Sequence, residues 1–102
     1  MSLSSLRNQI DELDSQILEL FLKRINVCRE IAKLKKLNNT PIENSSRENE
    51  ILENVKAFSG DDFIYSEALF KKIFSICKDV QKEDWLQKLH KYAAQRKIAV
   101  FC

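Results

Sequence analysis

The chain has 102 residues (12.0 kDa), 44% of them apolar and 31% charged, with a net charge of +2. That is the length of one domain; its interleaved acids and bases lack the dense basic face of a nucleic-acid binder, and no apolar run approaches the roughly 20 residues that cross a bilayer. One glycine, Gly60, and one proline, Pro41, are too few turn formers for a many-stranded sheet, so the composition points to an all-α fold.

The segment MSLSSLRN has no apolar signal-peptide core, and the expected location is cytoplasmic. From Leu6 to Leu37, apolar residues recur in steps of three and four: Leu6, Ile10, Leu13, Ile17, Leu20/Phe21, Val27/Cys28, Ile31 and Leu34. Such spacing forms one stripe on a helix. At about 1.5 Å per residue the helix would run roughly 48 Å, whereas a compact domain of this length has a radius of gyration of about 13 Å. A single chain cannot cover it, and a second copy or another partner is expected to do so, as in an intertwined helical dimer. Arg24 and Lys35 interrupt the stripe where apolar residues are due. They lie close to three whole turns apart, about 16 Å along one face.

The stretch NNTPIENSSRE after Leu37 reads as a loop. Ser45, three residues before Glu48, has the spacing of a capping box and predicts a second helix from about Ser45, ended by SGDD at 59–62. A third helix is predicted from about Ser66, carrying Leu69/Phe70, Ile73/Phe74, Ile76/Cys77 and Val80, and continuing through Trp85, Leu86, Leu89 and Tyr92. Lys88, Lys91 and Arg96 suit its C-terminal end. The helical domain is therefore placed at 1–96. The tail Lys97–Cys102, KIAVFC, is β-branched and apolar, and reads either as the first strand of a further domain or as a strand-like segment packed on the helices. Cys28, Cys77 and Cys102 are odd in number and lack metal-ligand spacing, and the chain has one His, so no metal site is expected and the cysteines are read as reduced thiols.

No nucleophile–base pair or phosphate loop is present. What stands out is a set of long polar side chains on apolar helix faces: Arg24, Lys35, Arg47, Glu48 and Gln81. Each alone has an ordinary explanation, such as a register-setting polar residue, a snorkelling cation or a capping-box partner. Together they are harder to dismiss, because cations facing a shared interior call for an anion and too few acids lie on those faces. A small dianionic ligand would fit.

The order LRNQIDELDSQILELFLKR, CREIAKLKK, a loop with Pro41, SRENEILENV and a third helix reaching Gln81 resembles the all-helical chorismate mutases. The resemblance covers about Leu3 to Gln81. It implies an intertwined homodimer that converts chorismate to prephenate by a Claisen rearrangement, in aromatic amino-acid biosynthesis and without a cofactor. It further implies that Arg7, Arg24, Lys35 and Arg47 bind or orient the two carboxylates, that Lys35 and Gln81 reach the ether oxygen, and that Glu48 takes the substrate hydroxyl. Two positions depart from the family pattern. Asn44 stands where close relatives usually have Asp, and Cys77 stands one turn before Gln81 where Ser is frequent, a poorer donor for the substrate. A rival register would put Trp85 in the place of Gln81; it is set aside because it turns Lys78 toward the buried face. An isochorismate-pyruvate lyase shares the implied fold and pocket, and a non-catalytic dimerisation or regulatory module is the reading outside enzymes. The tail favours a fused partner, such as a prephenate dehydratase or dehydrogenase.

Overall fold

The computed structural model describes residues 2–85, all of whose regular structure is helical. The tail 97–102 and the continuation of the third helix beyond Trp85 lie outside the described residues. Helix α1 spans Leu3–Leu37, α2 spans Ser45–Ser59, and α3 spans Phe63–Trp85; a single 3₁₀ turn, Gly60–Asp62, joins the last two.

α1 starts where the Ser2 side chain accepts the Ser5 N–H at 3.1 Å, and it runs 35 residues because no Gly or Pro interrupts it. It stops at Asn38. Asn39 adopts a positive φ of 55°, a conformation that Asn tolerates better than most residues, and Thr40 N–H donates to the Lys35 carbonyl at 2.8 Å. Three carbonyl-directed bonds near this end thus occupy acceptors that the helix leaves open.

α2 is capped differently from the sequence expectation. Asn44 is the N-cap, its side chain accepting the Arg47 N–H at 3.0 Å, and Ser45 is already the first helical residue. Glu48 is thereby released from a capping box and reaches another helix. α3 starts at Phe63, three residues before the expected Ser66, because Gly60 turns the chain within one 3₁₀ turn. Gly60 has φ 57°, a region that L side chains rarely adopt.

α3 packs against both α1 and α2 and so carries the assembly. Among the described residues, the apolar side chains that become buried are Ile25, Cys28 and Ala32 of α1 and Phe74 of α3. The N-terminal half of α1 is bare. Ile10, Leu13, Ile17 and Leu20, all on the predicted stripe, are 51–65% exposed. The longest dimension of the chain, 54 Å, is set by this projecting helix, and the radius of gyration is 16.6 Å, above the value for a compact domain.

One expectation is overturned at the core. Cys28 and Cys77 are not free thiols but form a disulfide between α1 and α3, with Cα atoms 5.9 Å apart. Helical spacing places Cys28 beside Ile25 and Ala32, and Cys77 one turn from Phe74, so the two helices meet sulfur to sulfur. The bridge spans a sequence separation of 49 residues, and cross-links of that kind contribute about 2–4 kcal/mol. Reduction, or the pair Cys28→Ala and Cys77→Ala, should lower the thermal midpoint followed by circular dichroism by roughly ten degrees. An unchanged midpoint after complete reduction would contradict a stabilising bridge.

Candidate active site

Above this small core, α1, the 38–44 loop, α2 and α3 enclose an open cavity of about 390 Å³, within the range of small-molecule sites. Its walls are apolar where Val27, Ile31, Ile42, Ile51 and Phe74 face inward, and its polar groups come from every element.

From α1, Arg24 and Lys35 reach the cavity from the same face, as their 11-residue spacing requires. Lys35 Nζ donates to the Ile42 carbonyl at 2.7 Å, which folds the loop back onto α1. Two of the three ammonium donors remain for other partners. The Arg24 guanidinium donates only a long contact, 3.8 Å, to Cys28 Sγ. Burial, and then the neighbouring Arg47 cation, hold its pKa below the usual arginine value. An arginine stays charged regardless. A base whose folded pKa is lowered disfavours the charged folded state at all accessible pH.

From α2 come Asn44, Arg47 and Glu48. The side-chain oxygen of Asn44 is used by the helix cap, and Arg47 is exposed and paired with Glu50 on the outer edge. Glu48 is half-buried, and its Oε2 lies 3.1 Å from Lys78 Nζ. From α3 come Cys77, Lys78 and Gln81. Gln81 is 5% exposed; its Nε2 donates to Cys77 Sγ at 3.3 Å while its Oε1 is buried with no hydrogen-bond partner among the described residues. Sulfur is a weak acceptor, and a buried unpaired carbonyl oxygen costs about 1–3 kcal/mol, so this amide is held loosely.

Seven of the expected site residues therefore line one cavity: Arg24, Lys35, Asn44, Arg47, Glu48, Cys77 and Gln81. Arg7 does not. It is exposed on α1, about 25 Å along the helix from Arg24. Cys77 lines the wall, but as half of a disulfide it has no S–H to donate. The residue that sequence reasoning kept off the buried face, Lys78, faces the cavity beside Gln81. The signal was available: Phe74, Cys77, Lys78 and Gln81 have the i, i+3, i+4, i+7 spacing of one helix face. Lys78 is tolerated there because Glu43 at 3.0 Å, and then Glu48, stabilise its ammonium and raise its pKa above the usual lysine value. What this pair adds to stability is present below the ordinary lysine pKa and lost only as the pH climbs through the raised one.

Four cations and one carboxylate thus border a half-buried cavity, the chemistry of a site for a small anion with more than one negative charge. The sequence profile described as chorismate mutase type II matches residues 6–82. The chain belongs to that family. A chorismate mutase of Methanocaldococcus jannaschii is 30% identical over 95 residues, 93% of both chains. Bifunctional chorismate mutase/prephenate dehydratases are similar too: that of Buchnera aphidicola is 32% identical over 100 residues and that of Aquifex aeolicus 31% over 87, covering 93% and 79% of this chain. The chain spans about a quarter of the length of these two relatives (27% and 24%). No solved structure is significantly similar to it. Among the described residues, no helix is long and apolar enough to cross a membrane.

The unpaired cation at Arg24 gives a direct test of the site's electrostatics. Arg24→Met should raise the thermal midpoint of the unliganded protein by a few degrees, as removal of a half-buried charge without a carboxylate partner does. Inorganic phosphate should stabilise the parent and have a much smaller effect on the variant. A lower midpoint in Arg24→Met, or equal gains from phosphate, would show that Arg24 is not waiting for an anion.

Proposed function

We propose that this cavity is the active site of a chorismate mutase that rearranges chorismate to prephenate. The observation that carries the proposal is the excess of cations over carboxylates around one cavity, in a chain belonging to this family. Chorismate carries two carboxylates, an ether oxygen and a hydroxyl. Arg24 and Arg47 take carboxylates, with the two remaining donors of Lys35 shared between a carboxylate and the ether oxygen. Glu48 accepts the hydroxyl.

A Claisen rearrangement moves no proton and needs no nucleophile. It needs the substrate held in its folded conformer and the negative charge that develops on the breaking ether bond met by fixed donors. Lys35, anchored at the Ile42 carbonyl, is one such donor. Gln81 is the other. Its terminal amide is free to turn, since that torsion is broad and roughly two-fold, and turning moves Nε2 from the weak sulfur acceptor to the ether oxygen.

The bare stripe on the first half of α1 supports the second part of the proposal, a homodimer in which a second copy covers Ile10, Leu13, Ile17 and Leu20. Burying side chains of this kind contributes about 1.5–3 kcal/mol each when complete. Arg7 lies on this projecting segment and reaches a carboxylate in the other copy's cavity.

Purified protein should deplete the chorismate absorbance band and yield prephenate; binding without turnover, or no binding, would overturn the mutase reading. Gln81→Glu should lower kcat by about 10²–10³ at neutral pH, because an ionised carboxylate offers no donor and repels the ether oxygen. Activity should recover as the pH falls toward the ordinary glutamate pKa of about 4.3, since only the protonated acid replaces the amide. Parental activity in Gln81→Glu at pH 7 would place Gln81 outside the chemistry.

A further inference from the structure

We infer that Lys78 is a positioning residue that holds Glu48 away from the substrate-binding cations, so that the cavity keeps both its charge for the dianion and a carboxylate for the hydroxyl. This rests on the mutase reading above. A lone carboxylate bordered by four cations pairs with whichever its side chain can reach. If Glu48 swung to Arg24, Lys35 or Arg47, it would neutralise a group the substrate's carboxylates require and turn away from the hydroxyl.

The geometry prevents this from α3. Lys78 Nζ lies 3.1 Å from Glu48 Oε2, which leaves the other carboxylate oxygen to accept a donor from the cavity. The pair is the less exposed of the two that Lys78 makes: its side chain and that of Glu48 are 25% and 27% exposed, while Glu43 on the loop is 65% exposed. Glu43 binds the same ammonium at 3.0 Å. The triad therefore connects three segments, the loop at Glu43, α2 at Glu48 and α3 at Lys78, and fixes a part of the cavity wall that α1 does not supply. Cavity charge supports the assignment as well. With Lys78 taken by Glu48 and Glu43, Arg24 and Lys35 of α1 have no carboxylate partner among the described residues, and Arg47 is engaged only by Glu50 on the outside.

Steady-state kinetics of Lys78→Met, Lys78→Arg and Glu48→Gln, with the double variant Lys78→Met/Glu48→Gln, test the assignment. Lys78→Met should raise KM for chorismate about tenfold, with a smaller loss in kcat and an unchanged circular dichroism spectrum, and Lys78→Arg should restore most of it. In the Glu48→Gln background there is no carboxylate to misplace, so adding Lys78→Met should change KM by less than about twofold. Should Lys78→Met not fold, Lys78→Gln carries the same cycle. Parental kinetics in the Lys78 variant, or an equal loss with and without Glu48, would overturn the inference while leaving the mutase reading intact. A parent enzyme that does not turn over chorismate would remove the reading itself, and this inference with it.

Discussion

The constraint on which the structure depends is the length of α1. A 35-residue helix offers an apolar stripe from Leu6 to Leu34, and the described residues bury only the part around Ile25, Cys28 and Ala32. That short contact with α3 is where the core lies, where the disulfide crosses and where the floor of the cavity begins. Everything else about the chain follows from the helix being half covered. The covered half presents Arg24 and Lys35 to a cavity, and the bare half carries Arg7 away from it.

Three of the four cavity cations, Arg24, Lys35 and Arg47, have no carboxylate partner inside the cavity among the described residues. Lys35 is used as a loop anchor through one donor, Arg24 meets only a sulfur, and Arg47 is engaged from outside by Glu50. Half-buried cations with no carboxylate facing them carry a folding penalty that an anion relieves. The single acid lining the cavity among the described residues, Glu48, is held by Lys78. For the rearrangement proposed above, which would rest on holding a dianion and meeting a developing charge, such unsatisfied donors are what the chemistry requires. Gln81 fits the same pattern through its Nε2, which meets only a weakly accepting sulfur, while its Oε1 has no partner among the described residues.

Most of this was legible in the sequence where periodicity speaks. The stripe of α1, the absence of Gly and Pro, and the breaks at Arg24 and Lys35 give the helix and the two cations directly. The chorismate mutase resemblance then orders Arg47, Glu48 and Gln81, and the family match agrees with it. What was not legible depended on which neighbour wins. Asn44 displaced Ser45 as the cap because its side chain accepts the Arg47 N–H, and that freed Glu48 for Lys78. Lys78 was assigned to solvent because a lone lysine on an apolar face is penalised, but Glu43 and Glu48, distant in sequence, remove the penalty. The pairing of Cys28 with Cys77 required knowing that α1 and α3 meet at those turns, which odd cysteine number and missing metal spacing do not reveal.

The central claim is that each cavity is completed by the bare half of a second copy's α1, and subunit complementation tests it most directly. Arg7→Ala and Lys35→Ala chains, each inactive alone, are mixed and exchanged, and chorismate turnover is measured against the fraction of hybrid dimers. In a hybrid, one of the two sites holds Lys35 from one chain and Arg7 from the other, both intact, so activity should return in half the sites of each hybrid. No recovery after verified exchange would contradict a site shared between copies.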